Sequence, residues 1–327
     1  MDKKIYVSSS PHFNLKCNTT MIMGTVLVAL LPEMIMGIVL FGLAALIRIL
    51  VSVASCVLFE FIFQKVTKQK IVIVNLSACV TGVMMALVSP PTAPVWIFVV
   101  GAAVAMIVAK GLFGGIGSNV FNPALTGRAF MFLSFPAAMG ASWMTPKTLA
   151  AAGMDAVSSA TTLSAIKAGT FAVQDGTLWQ YFIGNRAGCI GETSTLLILI
   201  SFAFLAIAQI IDWRAPVAMV GTVAVCSLIA GENLPMALMS GGLMFGATFM
   251  VTDYATAPVT KKGRLVFGFG CGLITFLIRK FGGYPEGVMF SILIMNSVAP
   301  FLNNLTARKY GYGKKASRPA DAAKEAK

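Results

Sequence analysis

Apolar runs of about 20 residues, the length a helix needs to cross a bilayer, recur along the chain between short breaks that carry charge, proline or glycine. Ten such windows lie near 21–41, 43–66, 71–89, 94–113, 121–140, 195–211, 214–231, 235–252, 264–280 and 286–304. They predict an all-α membrane protein of about ten transmembrane helices. The one long hydrophilic interval is 141–194, where Lys147, Asp155, Lys167, Asp175, Arg186 and Glu192 stand among many Ser, Thr and Gly. The chain therefore divides into an amino-terminal segment 1–20, a helical half 21–140, a water-exposed loop 141–194, a second helical half 195–304 and a basic tail 305–327.

Composition narrows the class. Hydrophobic residues make up 57% of 327 positions against 11% charged, more apolar surface than a soluble core of this size can hide. Ten crossings leave no room for a large catalytic domain outside the membrane. The net charge of +13 sits in short loops and the tail, where retention of cationic loops on the cytoplasmic side accounts for it, and nucleic acid is not expected as a partner. Six scattered cysteines without a C-x-x-C pair, and His12 as the single histidine, give no basis for a zinc, haem or iron–sulfur site held by this chain alone. Any redox chemistry must then use an organic cofactor or a cluster shared with a partner. The first 20 residues are mixed polar, so the amino terminus is expected to be kept rather than cleaved as a signal.

Placing both termini in the cytoplasm puts most lysines and arginines there, including Lys3, Lys65, Lys110, Arg214, Lys261 and Lys314, and puts 141–194 outside. Arg279 and Lys280 break this rule. Their setting resembles that of Lys110: K-G-L-F-G-G leads through Phe121-Asn122-Pro123 into the fifth window, and K-F-G-G through Tyr284-Pro285-Glu286 into the tenth. Two inverted five-helix repeats are expected, with a site near their interface at broken segments, Asn75 to Pro91 and Val217 to Pro235 being the candidates. Glycines and prolines that merely punctuate helix starts are the plainer alternative.

Within the outside loop stands Asp155-Ala156-Val157-Ser158-Ser159-Ala160-Thr161-Thr162. Taken alone, such a string is an ordinary turn or helix cap. It resembles the flavinylation motif of membrane redox complexes, in which a transferase joins the phosphate of FMN to the final threonine, here Thr161, with Asp155 and Ser158 as motif residues. Ser159 stands where that motif often has glycine. The segment 111–130 (G-L-F-G-G-I-G-S-N-V-F-N-P-A-L-T-G-R-A-F), G-C-I-G-E-T-S at 188–194, T-D-Y-A-T-A-P at 252–258 and Y-P-E-G-V-M-F-S at 284–291 resemble the D subunits of Rnf ferredoxin:NAD oxidoreductase complexes. The related B subunits of sodium-pumping NADH:quinone oxidoreductases share that plan.

The resemblance implies a membrane flavoprotein subunit in the cytoplasmic (inner) membrane of a bacterium or archaeon. Its partners would be other membrane subunits, an extracytoplasmic flavoprotein subunit, the flavin transferase and membrane lipid. Covalent FMN on Thr161 would join an electron-transfer chain that moves Na⁺ or H⁺. It also implies a second, noncovalent flavin, riboflavin, for which Asn119, Asn122, Thr126 and Arg128 are offered, following Gly114, Gly115 and Gly117, whose amides could face an anion; a tight turn with a capped helix fits those residues as well. Glu33, after Pro32 in mid-span, is the ionisable residue singled out for ion coupling, because unpaired charge in hydrocarbon is costly. A small-solute transporter or channel of inverted-repeat architecture, or a scaffold for redox subunits, would explain the spans but leaves the Asp155–Thr161 string without a role.

Overall fold

The computed structural model describes residues 18–140, 143, 144, 146, 157–158, 176–283 and 286–306. Helix α1 (Thr19–Phe41) starts where the Asn18 side chain accepts from the Met21 N–H at 2.8 Å, and it stops at Gly42, whose φ of 68° only glycine adopts without strain. The same glycine opens α2 (Leu43–Val66), so the two helices form a hairpin joined by one residue. Val28, Leu31, Ile35 and Val39, spaced three or four apart on α1, are exposed, while Ala29, Leu30, Gly37 and Leu40 are buried. An apolar outer face over an apolar inner one is the pattern of a helix solvated by lipid.

Beyond this hairpin come α3 (Ser77–Leu87), α4 (Val95–Ala103), which continues as a π-helical stretch Val104–Gly111, α5 (Pro123–Ser134) and α6 (Pro136–Gly140). Short strands β1 (Trp143–Met144) and β2 (Val157–Ser158) pair antiparallel, Trp143 opposite Ser158, and tie together two points of the hydrophilic interval. There follow α7 (Thr177–Ile183), α8 (Thr195–Ile207), α9 (Arg214–Ile229), α10 (Leu234–Met239), α11 (Leu243–Phe245) with a π-helical extension Gly246–Met250, α12 (Lys261–Phe281) and α13 (Val288–Thr306). The chain is a mostly helical membrane protein: α1, α2 and α13 are long and apolar enough to cross a bilayer, and α3, α4 with its extension, α8 and α9 are shorter apolar helices.

Helices α1 to α5 pack as one group, and α9, α12 and α13 as another. The groups meet where α5 lies on α13, and α8 packs separately on α1, with the Ser201 hydroxyl donating to the Ala29 carbonyl at 2.8 Å. The most extensive helix pair is α9 with α12, which glycines allow: a Cβ on Gly268 would collide with the Ala215 carbonyl, and one on Gly272 with the Met219 carbonyl.

Windows and helices agree closely at the hairpin and differ where backbone is broken. The third window shrinks to the 11 residues of α3, which is buried along almost its whole length. The eighth is interrupted at Ser240–Gly242. Of the two candidate segments, Asn75 to Pro91 contains the short α3, and Val217 to Pro235 contains most of the 16-residue α9, as far as Ile229, a turn and the start of α10.

Gly272→Val should push α12 off α9 and cost about 1–3 kcal/mol, read as a lower Tm in detergent. Gly221→Ala, with no atom within 4 Å of the added Cβ, should leave Tm level or raise it. Equal Tm values for the wild type and Gly272→Val would refute the close-packing account.

Candidate functional site

Helix α3 ends inside the protein, where water cannot reach its last carbonyls, so other groups must satisfy them. The Gly191 N–H donates to the Leu87 carbonyl at 2.7 Å and the Ile190 N–H to the Ser89 carbonyl at 3.2 Å. Close approach is again glycine's work: a Cβ on Gly191 would strike Leu87, and one on Gly37 of α1 would strike Ile190. The loop 188–194 is thereby fixed against the end of the broken helix.

That loop carries Cys189 and Glu192 into a buried charged junction. Arg128 of α5 lies 3.3 Å from Glu286 Oε2 and 3.8 Å from the Cys189 thiol. Glu286 Oε1 accepts the Gly242 N–H at 2.6 Å, at the break between α10 and α11. Any side chain on Gly242 would collide with both Glu192 and Glu286, so two carboxylates converge on one bare backbone position. Arg186 donates to the carbonyls of Met239, Glu192 and Thr193, and Arg279 to those of Ala237 and Ser240. The cations thus cover the carbonyls left at the end of α10. Three arginines and two glutamates from four separate segments meet here, Arg186 and Glu192 sharing the loop between α7 and α8.

A second polar group lies at the start of α5. Asn122 caps the helix, accepting from Leu125 N–H at 3.2 Å, and donates to Asp253 Oδ2 at 3.3 Å; the Thr256 hydroxyl donates to the same oxygen at 3.0 Å. Burial holds the Asp253 carboxyl above its ordinary value, offset in part by Thr256 and the Ala255 amide. A third group joins Lys110 on the π-helical stretch to Glu60 of α2 and to the Ser77 hydroxyl, both at 2.6 Å.

Of the predicted residues, Asn119 and Asn122 stand together before α5, Asn119 donating to the Phe121 carbonyl. Thr126 turns back to the Asn122 carbonyl, and Arg128 belongs to the charged junction rather than to the Asn122–Asp253 group. In the glycine turn, Gly114, Gly115 and Gly117 have positive φ, but the amides of Gly114, Gly115 and Ser118 already donate to backbone carbonyls. Glu33 is buried, and its polar neighbour, the Ser201 hydroxyl, donates to the Ala29 carbonyl, which leaves both carboxylate oxygens without a well-formed hydrogen bond among the described residues. Ser158 lies in β2, whereas Asp155 and Thr161 lie outside the described residues.

Sequence reasoning gave no role to Cys189, took Arg186 and Glu192 as marks of a water-exposed loop, which is corrected here because both are buried, and treated Arg279 only as an exception to the charge rule. The signals were present in the strings G-C-I-G-E-T-S and Y-P-E-G. Nothing in the spacing says that they meet.

Fold and junction together define a helical membrane protein built around broken helices and buried, paired charge. The chain belongs to the NQR2, RnfD, RnfE family, whose model matches residues 6–311. It is 43% identical to the D subunit of the Na(+)-translocating ferredoxin:NAD(+) oxidoreductase complex of Acetobacterium woodii, over 94% of this chain and 96% of that protein. It is 38% identical to the D subunit of the proton-translocating ferredoxin:NAD(+) oxidoreductase complex of Clostridium ljungdahlii, over 92% and 94%. With the D subunit of the ion-translocating oxidoreductase complex of Citrobacter koseri it shares 34%, over 94% and 99%.

Arg128→Met leaves Glu286 buried without its cation and should cost about 3–5 kcal/mol, read as a fall in Tm. The double variant Arg128→Met/Glu286→Gln should recover part of that loss, because Gln still accepts from Gly242 and sheds the charge. No recovery would mean that Arg128 acts by packing rather than by charge.

Proposed function

We propose that the chain is the D subunit of an Rnf-type complex, a membrane flavoprotein that passes electrons between ferredoxin and NAD partners while Na⁺ or H⁺ is translocated. One observation carries this reading: near full-length similarity to proteins named as that component, in a chain that retains the Asp155–Thr161 string. FMN would be held by a phosphoester to Thr161, placed there by a flavin transferase that reads Asp155 and Ser158. Riboflavin would lie against Asn119, Asn122, Asp253 and Thr256, a set that offers both donors and acceptors, as the edge of a flavin ring requires. Bound flavin supplies one- and two-electron chemistry, which can connect single-electron carriers to a nicotinamide couple. The residues of this chain would position it, exclude water and hold the surrounding charge. Ferredoxin and NAD would be bound by the other subunits of the complex.

In this reading ten segments cross the inner membrane as two inverted repeats, with both termini in the cytoplasm. Supporting the inversion are two like-placed ion pairs. Lys110–Glu60 at 2.6 Å joins the ends of α4 and α2, and Lys280–Glu232 at 2.9 Å joins the end of α12 to the turn after α9. In each half these are the fourth and second crossings. The pairing also gives Lys280 a local neutraliser, which explains its departure from the charge rule. Glu33, buried after Pro32 with the Ser201 hydroxyl as its polar neighbour, is the group best placed to bind or relay the coupling cation.

Thr161→Ala should abolish covalent flavin while the helices still insert, whereas Thr162→Ala should retain it. In-gel flavin fluorescence and the tryptic peptide mass, FMN less one water, measure this. An unmodified wild-type peptide made together with the transferase would overturn the flavoprotein reading. Glu33→Gln should keep flavin content and lower the ions moved per electron in vesicles carrying the whole complex. Unchanged transport would remove Glu33 from the mechanism.

A further inference from the structure

Two adjoining cavities run along the same three elements. The outer, of about 640 Å³, opens between the turn after α8 and the turn after the second π-helical stretch. Ala206 of α8, Ala215 of α9 and Val251 belong to its wall. The inner, of about 330 Å³, is walled by Phe202 of α8, Val220 and Gly221 of α9, and Ala247. On α8 and the π-helical stretch the residues of the apolar cavity lie about one turn further from the helix end, and on α9 they begin at Pro216, next to Ala215 of the polar cavity, so the two cavities are neighbours along the helices.

The outer chamber is basic. Asp212 Oδ2 accepts from Arg214 Nη1 and Arg264 Nη1, each at 2.8 Å, so one carboxylate orients two guanidinium groups and neutralises only one charge. Burial pushes the Asp212 carboxyl up, but the Arg214 backbone N–H and both guanidinium groups outweigh it and hold the group below the ordinary range, ionised at neutral pH. Lys261 adds a third cation to the same wall. The other carboxylate of the wall, Asp253, is turned to Asn122 and Thr256. Trp213 and Tyr254 are half exposed at the rim, the position such side chains take at a membrane surface.

We propose that the adjoining chambers hold one anionic phospholipid, with its phosphodiester against Arg214, Lys261 and Arg264 and an acyl chain along the Phe202–Gly221 groove. The excess of cations selects an anionic head, and the apolar chamber selects a lipid over free phosphate. The site rests on the reading that α8 and α9 cross the membrane.

Full-length chain in detergent is titrated with dioleoyl phosphatidylglycerol, dioleoyl phosphatidylcholine or inorganic phosphate and followed by native mass spectrometry. One phosphatidylglycerol should be retained at concentrations where phosphatidylcholine is lost, and phosphate should not displace it. Lys261→Gln should weaken retention about fivefold, the effect of one cation near a lipid head. Gly221→Leu should also weaken it by filling the inner groove, since no atom lies within 4 Å of its added Cβ. Neither variant should lower the Tm of the lipid-free chain. Equal retention of both lipids would leave a chain groove without head selectivity, and displacement by phosphate would make it a site for the free anion. Undiminished retention in both variants would place the lipid elsewhere, and cross-linking of Lys261 to another subunit in the intact complex would make the chamber a protein interface. Each of these overturns the proposal. Alkaline washing of membranes separates the two layers of the reading: a chain that washes off fails as a membrane protein, whereas one that stays but shows no lipid preference fails only at this site.

Discussion

A helix that ends inside an apolar solvent exposes carbonyls and amides that nothing around it can satisfy, and each such group costs several kcal/mol. This chain ends helices there at least twice, and the rest of its architecture follows from how the ends are met. The Leu87 and Ser89 carbonyls take the amides of Gly191 and Ile190, about a hundred residues away in sequence, and the Gly242 amide takes the Glu286 carboxylate. Glycines 37, 191 and 242 stand where those segments touch, because a Cβ at any of them would occupy the space of the partner. The breaks therefore bind together parts of the chain that continuous helices would leave independent.

Charge is arranged by the same requirement. Arg186 and Arg279 serve the last carbonyls of α10, which turns an apparent exception to the charge rule into a structural need. Arg128 with Glu286, and Lys110 with Glu60 and Ser77, are buried pairs drawn from different helices. Such pairs add little net stability once desolvation is counted, but a wrong register would leave each ion alone at a cost of several kcal/mol. They act as selectors of one packing among several that the apolar surfaces alone would permit. Glu33 stands apart because it is buried with no cation paired to it among the described residues, which is why it carries the ion-coupling part of the proposal.

The helical, membrane-embedded character of the chain was legible in the sequence. The α1–α2 hairpin was readable to within two residues, because long apolar runs, the asparagine cap and Gly42 are local signals that act on their own neighbours. So was the start of α5 after Asn122-Pro123, for the same reason. The breaks were less legible. The interruption at Ser240–Gly242 contains no proline and falls inside a single apolar window, 235–252.

By itself the sequence determined the solvent, the first helical hairpin and the family, since all three depend on composition and on residues near one another along the chain. Only the tertiary structure decided the charged junction. Arg128, Arg186, Glu192, Arg279 and Glu286 come from four segments that span nearly half the chain, and no periodicity links them. What brings them together is the need to satisfy buried backbone ends and buried charges at once, and that need arises only after the helices have packed.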